Sequence, residues 1–473
     1  ARVTVCVHMH CYQPPREDPA TGRIPVEESA APYHDWNHRI TDECYRPLSN
    51  ARVYGADGNI ERSVNLYAQL SFNVAPTLAL WLDRFAPDVM ASMTAGDALA
   101  RRSHAGAGTA VAQSFVHAIL PLAPERDRLT MIRWGMSDFR NRFGREAHGM
   151  WMPETAVDTA TLESLAQCGI RFTIVAPYQL AALSDDAHID PQMPCTVALP
   201  SGRSITVFGY GGGVAHEVAF GDLLTDGHRL AAALADMGDV DHGSDVLRSL
   251  AVDAETFGHH KKFGEMALAY AVTHLAGSGH PVLSYEQWLA SDSRVQHARI
   301  VEETSWSCAH GIERWRSDCG CNGGRGVTTG QGWRTPLRDG ITDLISAVAA
   351  LTDAHARQVL IDPWAARDAW IDVITGVVTE AEFVKSHGVA GADPEAVTSW
   401  MRAHGHLLLA QSSCAWFFDA HDGHETLISI HQAERAIELF RGLTGTDLGQ
   451  RWQGFMDAMV PAHHAGVTPS GPA

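Results

Sequence analysis

Leu250-Ala251-Val252-Asp253-Ala254-Glu255-Thr256-Phe257-Gly258-His259-His260 is an apolar run that ends on two carboxylates and then turns. A second segment, Gly149-Met150-Trp151-Met152-Pro153-Glu154-Thr155, is built the same way. Each reads as a buried strand whose last residues carry an acid, the layout that sets reactive side chains on the mouth of an α/β barrel. If the backbone stays extended, Asp253 and Glu255 share a face. Glu154 follows Trp151 and Pro153, where a rigid turn fixes its direction. A lone acid in such a place is usually half of a salt bridge. Acidic strand ends with aromatics beside them are the equipment for glycosidic cleavage, where one group protonates the leaving oxygen and another attacks or shields the developing positive charge.

Working outward, residues 3–8 read as the first core strand, and further strands are expected over 170–175, 196–199, 205–210 and 246–252. Helical patterns fall between them, over 63–85 with a break before Pro76, then 88–101, 125–143, 159–168, 228–237 and 263–275. Strands alternating with helices imply a parallel α/β barrel or a wound sheet. Beyond residue 301 the strand signal fades, and helical patterns over 337–352, 394–409 and 424–440 imply a helical C-terminal domain. The expected division is a catalytic part over 1–300, a loop and linker over 301–335, and helices over 336–473. Residues 11–59 carry Pro14, Pro15, Pro19, Pro25, Pro32 and Pro47 with little periodicity, so they read as a long loop. Its Tyr33, His34, Trp36, His38 and Tyr45 suit either cover for a sugar site or surface packing.

Composition narrows the partners. The formal net charge of -19 argues against nucleic acid, which needs a basic footprint, and suits a neutral substrate. No apolar run is long enough to span a membrane. The chain starts directly as a strand, with no charged-then-apolar leader. The 9 cysteines are an odd, scattered set that reads as reduced thiols in a cytoplasm. The Gly/Pro-rich tail over 466–473 is expected to fray.

His8-Met9-His10 ends the first strand with both imidazoles on one face, and His259-His260 follows Asp253 closely. These histidines suit hydrogen bonding to sugar hydroxyls and tuning of the acids. They also suit a divalent metal, since His-x-His plus an acid is a ligand set, or ordinary core packing. No second motif of fixed metal spacing accompanies them, so neither metal nor cofactor is expected. Trp306-Ser307-Cys308-Ala309-His310 places an indole for stacking on a sugar ring, or for packing between two parts of the chain. Cys319-Gly320-Cys321 with Cys308 reads weakly as a metal site or a disulfide, because no second spaced pair is present. No Gly-x-Ser-x-Gly elbow and no phosphate loop appears; Gly211-Gly212-Gly213 reads as a tight turn.

Taken together, His8-x-His10-x-Tyr12-Gln13-Pro14, Trp151-x-Pro153-Glu154 and Asp253-x-Glu255-x-Phe257-Gly258-His259 resemble glycoside hydrolase family 57, in the same order along the chain. Ser71-Phe72-Asn73 sits where that family has its second motif, with a looser match. The resemblance implies a distorted (β/α)7-type barrel followed by a helical bundle, and a retaining double displacement. It makes Glu154 the nucleophile and Asp253 the general acid/base. It sets His10 and Gln13 at the subsite of the attacked sugar, with Trp306 and His310 on a capping loop. Together with His8, Trp36, Trp151, Glu255 and His259 these are the candidate substrate-binding residues. The implied substrate is a neutral α-linked polysaccharide or oligosaccharide, an α-1,4-glucan or an α-mannan, cut at internal linkages. Transfer to a sugar acceptor, as in branching enzymes, or a metal-dependent mannosidase or deacetylase-like reaction are the alternatives.

Overall fold

Val3-Thr-Val-Cys-Val-His-Met-His-Cys11 (β1) is rich in β-branched residues and buried along its whole length, as a strand covered on both faces must be. It pairs in parallel with Val246–Asp253 (β7) on one side and with Ser71–Val74 (β2) on the other. This computed structural model describes residues 3–236, 246–291, 295–322 and 330–464. The tail over 466–473 and Met237, the expected end of a helix, lie outside them. The chain divides into two units. The first comprises Ala1–Gln13, Val26–Gln113 and Phe139–Glu302, and the second Pro14–Pro25, Ser114–Asp138 and Glu303–Ala473.

In the first unit the parallel row continues from β2 through Ala112–Gln113 (β3) and Met150–Trp151 (β4) to Phe172–Val175 (β5) and Ser204–Gly209 (β6). Single parallel bridges, Phe72 with Ala110 and Gly149 with Phe172, join the shorter strands. Gly149 is required there, because a Cβ would stand 2.2 Å from the Phe172 ring. Among the described residues no ladder joins β6 to β7. Two hydrogen bonds cross that gap, Gly211 N to Ser249 O at 2.7 Å and Ser249 Oγ to Gly209 O at 3.3 Å. The fold is therefore the expected α/β row of parallel strands, with no barrel closed by ladders. Helices such as Pro76–Phe85, Thr159–Gln167 and Gly264–Gly277 follow individual strands. Asp158 caps the second by accepting from Thr161 N at 2.7 Å.

Two expectations need correction. Residues 63–85 are not one broken helix: Ile60–Val64 and Ser71–Val74 are strands, and the helix begins at Pro76. Ser71–Val74 alternates polar and apolar residues but spans only four positions, too few for a strand period to stand out beside the helix that follows. Residues 11–59 are also more ordered than a loop. Trp36–Ile40, Thr41–Tyr45 and Arg46–Ser49 form one continuous helical stretch whose middle turn is π-helical. Asp35 caps it by accepting from His38 N at 3.0 Å.

The second unit is helical. Arg334–His355, Pro394–Leu409, His424–Thr444 and Gly449–His464 are its long elements. Leu337, Ile341, Leu344 and Val348 follow the spacing of one helix face and are buried. Trp400 packs edge-on against Phe440 at 5.6 Å, and the fully buried Trp315, Trp333 and Trp416 complete this core. Among the described residues its only β contacts are isolated bridges.

Candidate active site

The carboxyl ends of the parallel strands gather the polar side chains of the first unit. On β1, period-two geometry puts His8 and His10 on one face. His8 lies in register with Ser71 and Ala251, and His10 with Asn73 and Asp253. His8 Nε2 donates to Asn73 Oδ1 at 2.9 Å while its Nδ1 accepts from Ser71 Oγ at 2.8 Å. Asn73 Nδ2 then donates to His10 Nδ1 at 3.0 Å and to Gln113 Oε1 at 2.8 Å. This assignment makes both imidazoles neutral. Burial agrees, holding His8 down to about 4 and His10 to about 3. The Trp151 ring stacks on both imidazoles with centroids 4.9 Å away.

Asp253 ends β7 and borders this floor. Its surface reaches solvent, while the surrounding protein still disfavours the charged form of its carboxyl. That desolvation, and then the negative charges of Glu255 and Glu154, push its carboxyl well above the ordinary range. Glu255 does not continue the strand. It sits on the 3-10 turn Ala254–Thr256, because the backbone folds back directly after Asp253 and Glu255 O accepts from His259 N and His260 N at 3.2 and 3.0 Å. The shared strand face expected for the two acids is thus replaced by a turn, yet their charges still interact. Glu255 Oε1 accepts from the buried Tyr45 hydroxyl and, at 3.5 Å, from Gln13 Nε2. Burial outweighs those bonds and pushes Glu255 up to about 7.

Glu154 occupies a strained turn. Its φ of 58° and the φ of 49° at Thr155 are consecutive left-handed values in non-glycine residues. Each costs roughly 1–2 kcal/mol and persists only where neighbours hold it. Gln179 is that neighbour. Thr155 Oγ1 donates to Gln179 Oε1 at 2.8 Å, Gln179 Nε2 donates to Thr155 O at 2.8 Å, and Ala176 N also donates to Oε1 at 2.8 Å.

Trp36 and His259 also meet in the first unit, ring centroids 5.6 Å apart and nearly perpendicular. His259 Nδ1 pairs with Glu43 Oε2, and Arg39 bonds the other Glu43 oxygen at 3.1 Å while lying 4.9 Å over the Trp36 ring. Gly258 has φ +136°, and a Cβ there would stand 2.1 Å from Glu43 O. The close approach of the two segments therefore requires glycine. Trp306 and His310 belong to the second unit.

Glu154, Asp253, His8, His10, Gln13, Trp151 and Glu255 are thus linked by bonds, stacking or charge, with Trp36 and His259 forming their own pair. Gln113, Gln179 and Glu43 carry no signal in the sequence, and Tyr45, one of the aromatics expected to cover a sugar site or pack at the surface, instead bonds the buried Glu255. Ser71 and Asn73 were marked only by the loose second motif. Among the described residues, groups of potential metal ligands with atoms within 4.8 Å of one another are Cys308-His310-Cys319-Cys321 and His34-Asp35-His38. Neither includes His8, His10 or Asp253.

Residues 13–300 match the model for glycosyl hydrolase family 57. Residues 330–463 match a domain of unknown function, DUF3536. A search of curated proteins gives no match. Among solved structures, an exo-type maltose-forming amylase from Pyrococcus sp. ST04 superposes with a TM-score of 0.74 at 15% identity, covering 96% of this chain and 82% of that one. A branching enzyme from Thermococcus kodakaraensis, solved with glucose, gives 0.59 at 13% identity, covering 99% and 97%. A 4-alpha-glucanotransferase from Thermococcus litoralis gives 0.55 at 15%, covering 92% and 59%.

Proposed function

The chain belongs to glycosyl hydrolase family 57, and on that premise we propose that it cleaves internal α-linkages of a neutral polysaccharide by a retaining double displacement. The observation that carries this reading is the placement of Asp253 at the end of β7, with Glu255 on the turn that follows and Glu154 on the turn after β4, near enough that their charges raise the Asp253 carboxyl. Glu154, ionised, attacks the anomeric carbon and forms a glycosyl ester. Asp253 gives its proton to the leaving oxygen; desolvation and two like charges are what let a carboxyl hold a proton near neutrality. In the second step Asp253 takes a proton from water, and the ester opens with net retention. A sugar hydroxyl in place of water makes the same site a transglycosylase.

The remaining roles follow from placement. Neutral His10 and Gln13 border the acids and are suited to bond hydroxyls of the attacked sugar. His8, with both ring nitrogens bonded inside the protein, positions Asn73. Trp36 and His259 offer an aromatic and polar rim. An α-1,4-glucan is the preferred substrate, since the structural neighbours are an amylase, a branching enzyme and a glucanotransferase.

The test is product sizing by mass spectrometry on α-1,4-glucan and α-mannan. Short oligosaccharides from the glucan are expected, and longer or re-branched chains would identify transfer. Glu154→Gln and Asp253→Asn should each lower turnover by about 1,000-fold or more. Near-normal activity in either variant overturns the assignment.

A further inference from the structure

We propose that Cys308, His310, Cys319 and Cys321 form a closed zinc site in the second unit, built for structure rather than catalysis. The sequence signal here is weak, and of the four residues only His310 is also expected, from the family resemblance, to contact sugar, a role the proposed mechanism does not use. The tertiary structure supplies what the spacing lacks, a fourth donor and a shared centre. All four donor atoms lie within 4.8 Å of one another.

The distances match a metal that prefers tetrahedral thiolate and imidazole ligands. Zinc binds sulfur at about 2.3 Å and imidazole nitrogen at about 2.0–2.1 Å, so a tetrahedron has S···S edges of about 3.8 Å and S···N edges of about 3.6 Å. Cys308 Sγ is 3.9 Å from Cys319 Sγ and 3.8 Å from Cys321 Sγ. Cys321 Sγ is 3.4 Å from His310 Nδ1. A disulfide instead needs its sulfurs about 2.05 Å apart. Soft sulfur donors with one imidazole select zinc over the hard divalent cations. Four protein donors leave no open position for water, which separates a structural site from a catalytic one.

The surroundings are arranged for the ligands. Gly320, with φ +82°, lets the chain reverse between Cys319 and Cys321. Cys321 N donates to Cys319 Sγ at 3.4 Å, an orienting bond to a thiolate. Gln331 holds the turn, accepting from Gly320 N at 3.1 Å and donating to Cys321 O at 2.9 Å. Arg334, fully buried, bonds Gln331 Oε1 at 2.6 Å and approaches Cys319 Sγ at 3.8 Å. Its ion pair with Asp419 is long, at 3.9 Å. Three thiolates and one Zn(II) carry a net charge of −1, a fitting counter-charge for that guanidinium. Zinc capture needs no oxidant: each thiol releases a proton as the metal–sulfur bond forms.

The test uses the full chain without a histidine tag, purified in the presence of reductant from zinc-supplemented cells. Elemental analysis should give one zinc per chain, lost in Cys319→Ser and Cys321→Ser and weakened in His310→Ala. Should the cysteine variants fail to fold, two measurements on the wild-type protein decide the matter. Cobalt(II) in place of zinc should give the intense visible bands of a tetrahedral thiolate site. A mercurial titration should release the zinc as these thiols are blocked. Folded protein without stoichiometric zinc, a six-coordinate cobalt spectrum, or a Cys308 disulfide in the non-reduced mass overturns the proposal. None of these readouts depends on glycosidase activity, so the two readings fail separately.

Discussion

Glu255 shows how one side chain links stability to chemistry. Its carboxyl rises from 4.5 in the unfolded chain to about 7 in the fold. Between those values the folded protein holds a proton that the unfolded chain releases. Stability from this group is therefore greatest below about pH 4.5 and falls as pH rises through about 7. Glu255→Gln should flatten that stretch of a urea-unfolding series against pH. Its charge also raises Asp253, so the same variant should move the alkaline limb of the pH–rate profile to lower pH. An unmoved limb would disconnect Glu255 from the proton donor. Gln179 acts differently, through the strained turn at Glu154. Gln179→Leu leaves buried Thr155 groups without those bonds, at about 1–3 kcal/mol. It should lower kcat more than it raises KM, and equal changes in both would argue for a purely structural role.

At the element scale, the lead-in to β3 depends on one buried acid. Asp97 Oδ1 accepts from Thr109 N at 2.8 Å, Ala110 N at 2.9 Å and Arg145 Nη2 at 2.9 Å. Arg145 also pairs with Glu286 at 3.0 Å. Asp97→Ala is expected to cost about 3–5 kcal/mol by leaving a buried cation short of a partner, measured as a lower urea midpoint. Elements with a periodic or strongly apolar pattern were legible. The helical pattern over 125–143 matches the helix Glu125–Phe143, and that over 394–409 matches Pro394–Leu409. Ser71–Val74 is not legible, because four residues are too short a run for its alternation to outweigh the helical pattern that follows. The Trp36–Ser49 stretch carries no clear helical signal because Pro47 and a π-turn interrupt its period. That turn ends at Tyr45, whose hydroxyl bonds Glu255.

For the whole molecule, charge separates substrate classes. A chain of net charge -19 gains nothing from long-range attraction to an uncharged glucan. KM on a neutral glucan should therefore stay constant between low salt and about 0.5 M, where surface charges are screened. A steep salt dependence would point to a charged polymer instead. Among the described residues no helix is long and apolar enough to cross a membrane.

The parallel α/β character, the helical C-terminal region and the acids that close apolar runs are legible from residue order alone. Each is written locally, in apolar runs, helical period and the residue that ends a run. What those residues touch is set by the folded chain. Tyr45 meets Glu255 across 210 residues, Asn73 ties His8 and His10 together, and His310 joins three cysteines. A local pattern specifies which face is buried, whereas a partner distant in sequence is fixed only when strands pair and turns close.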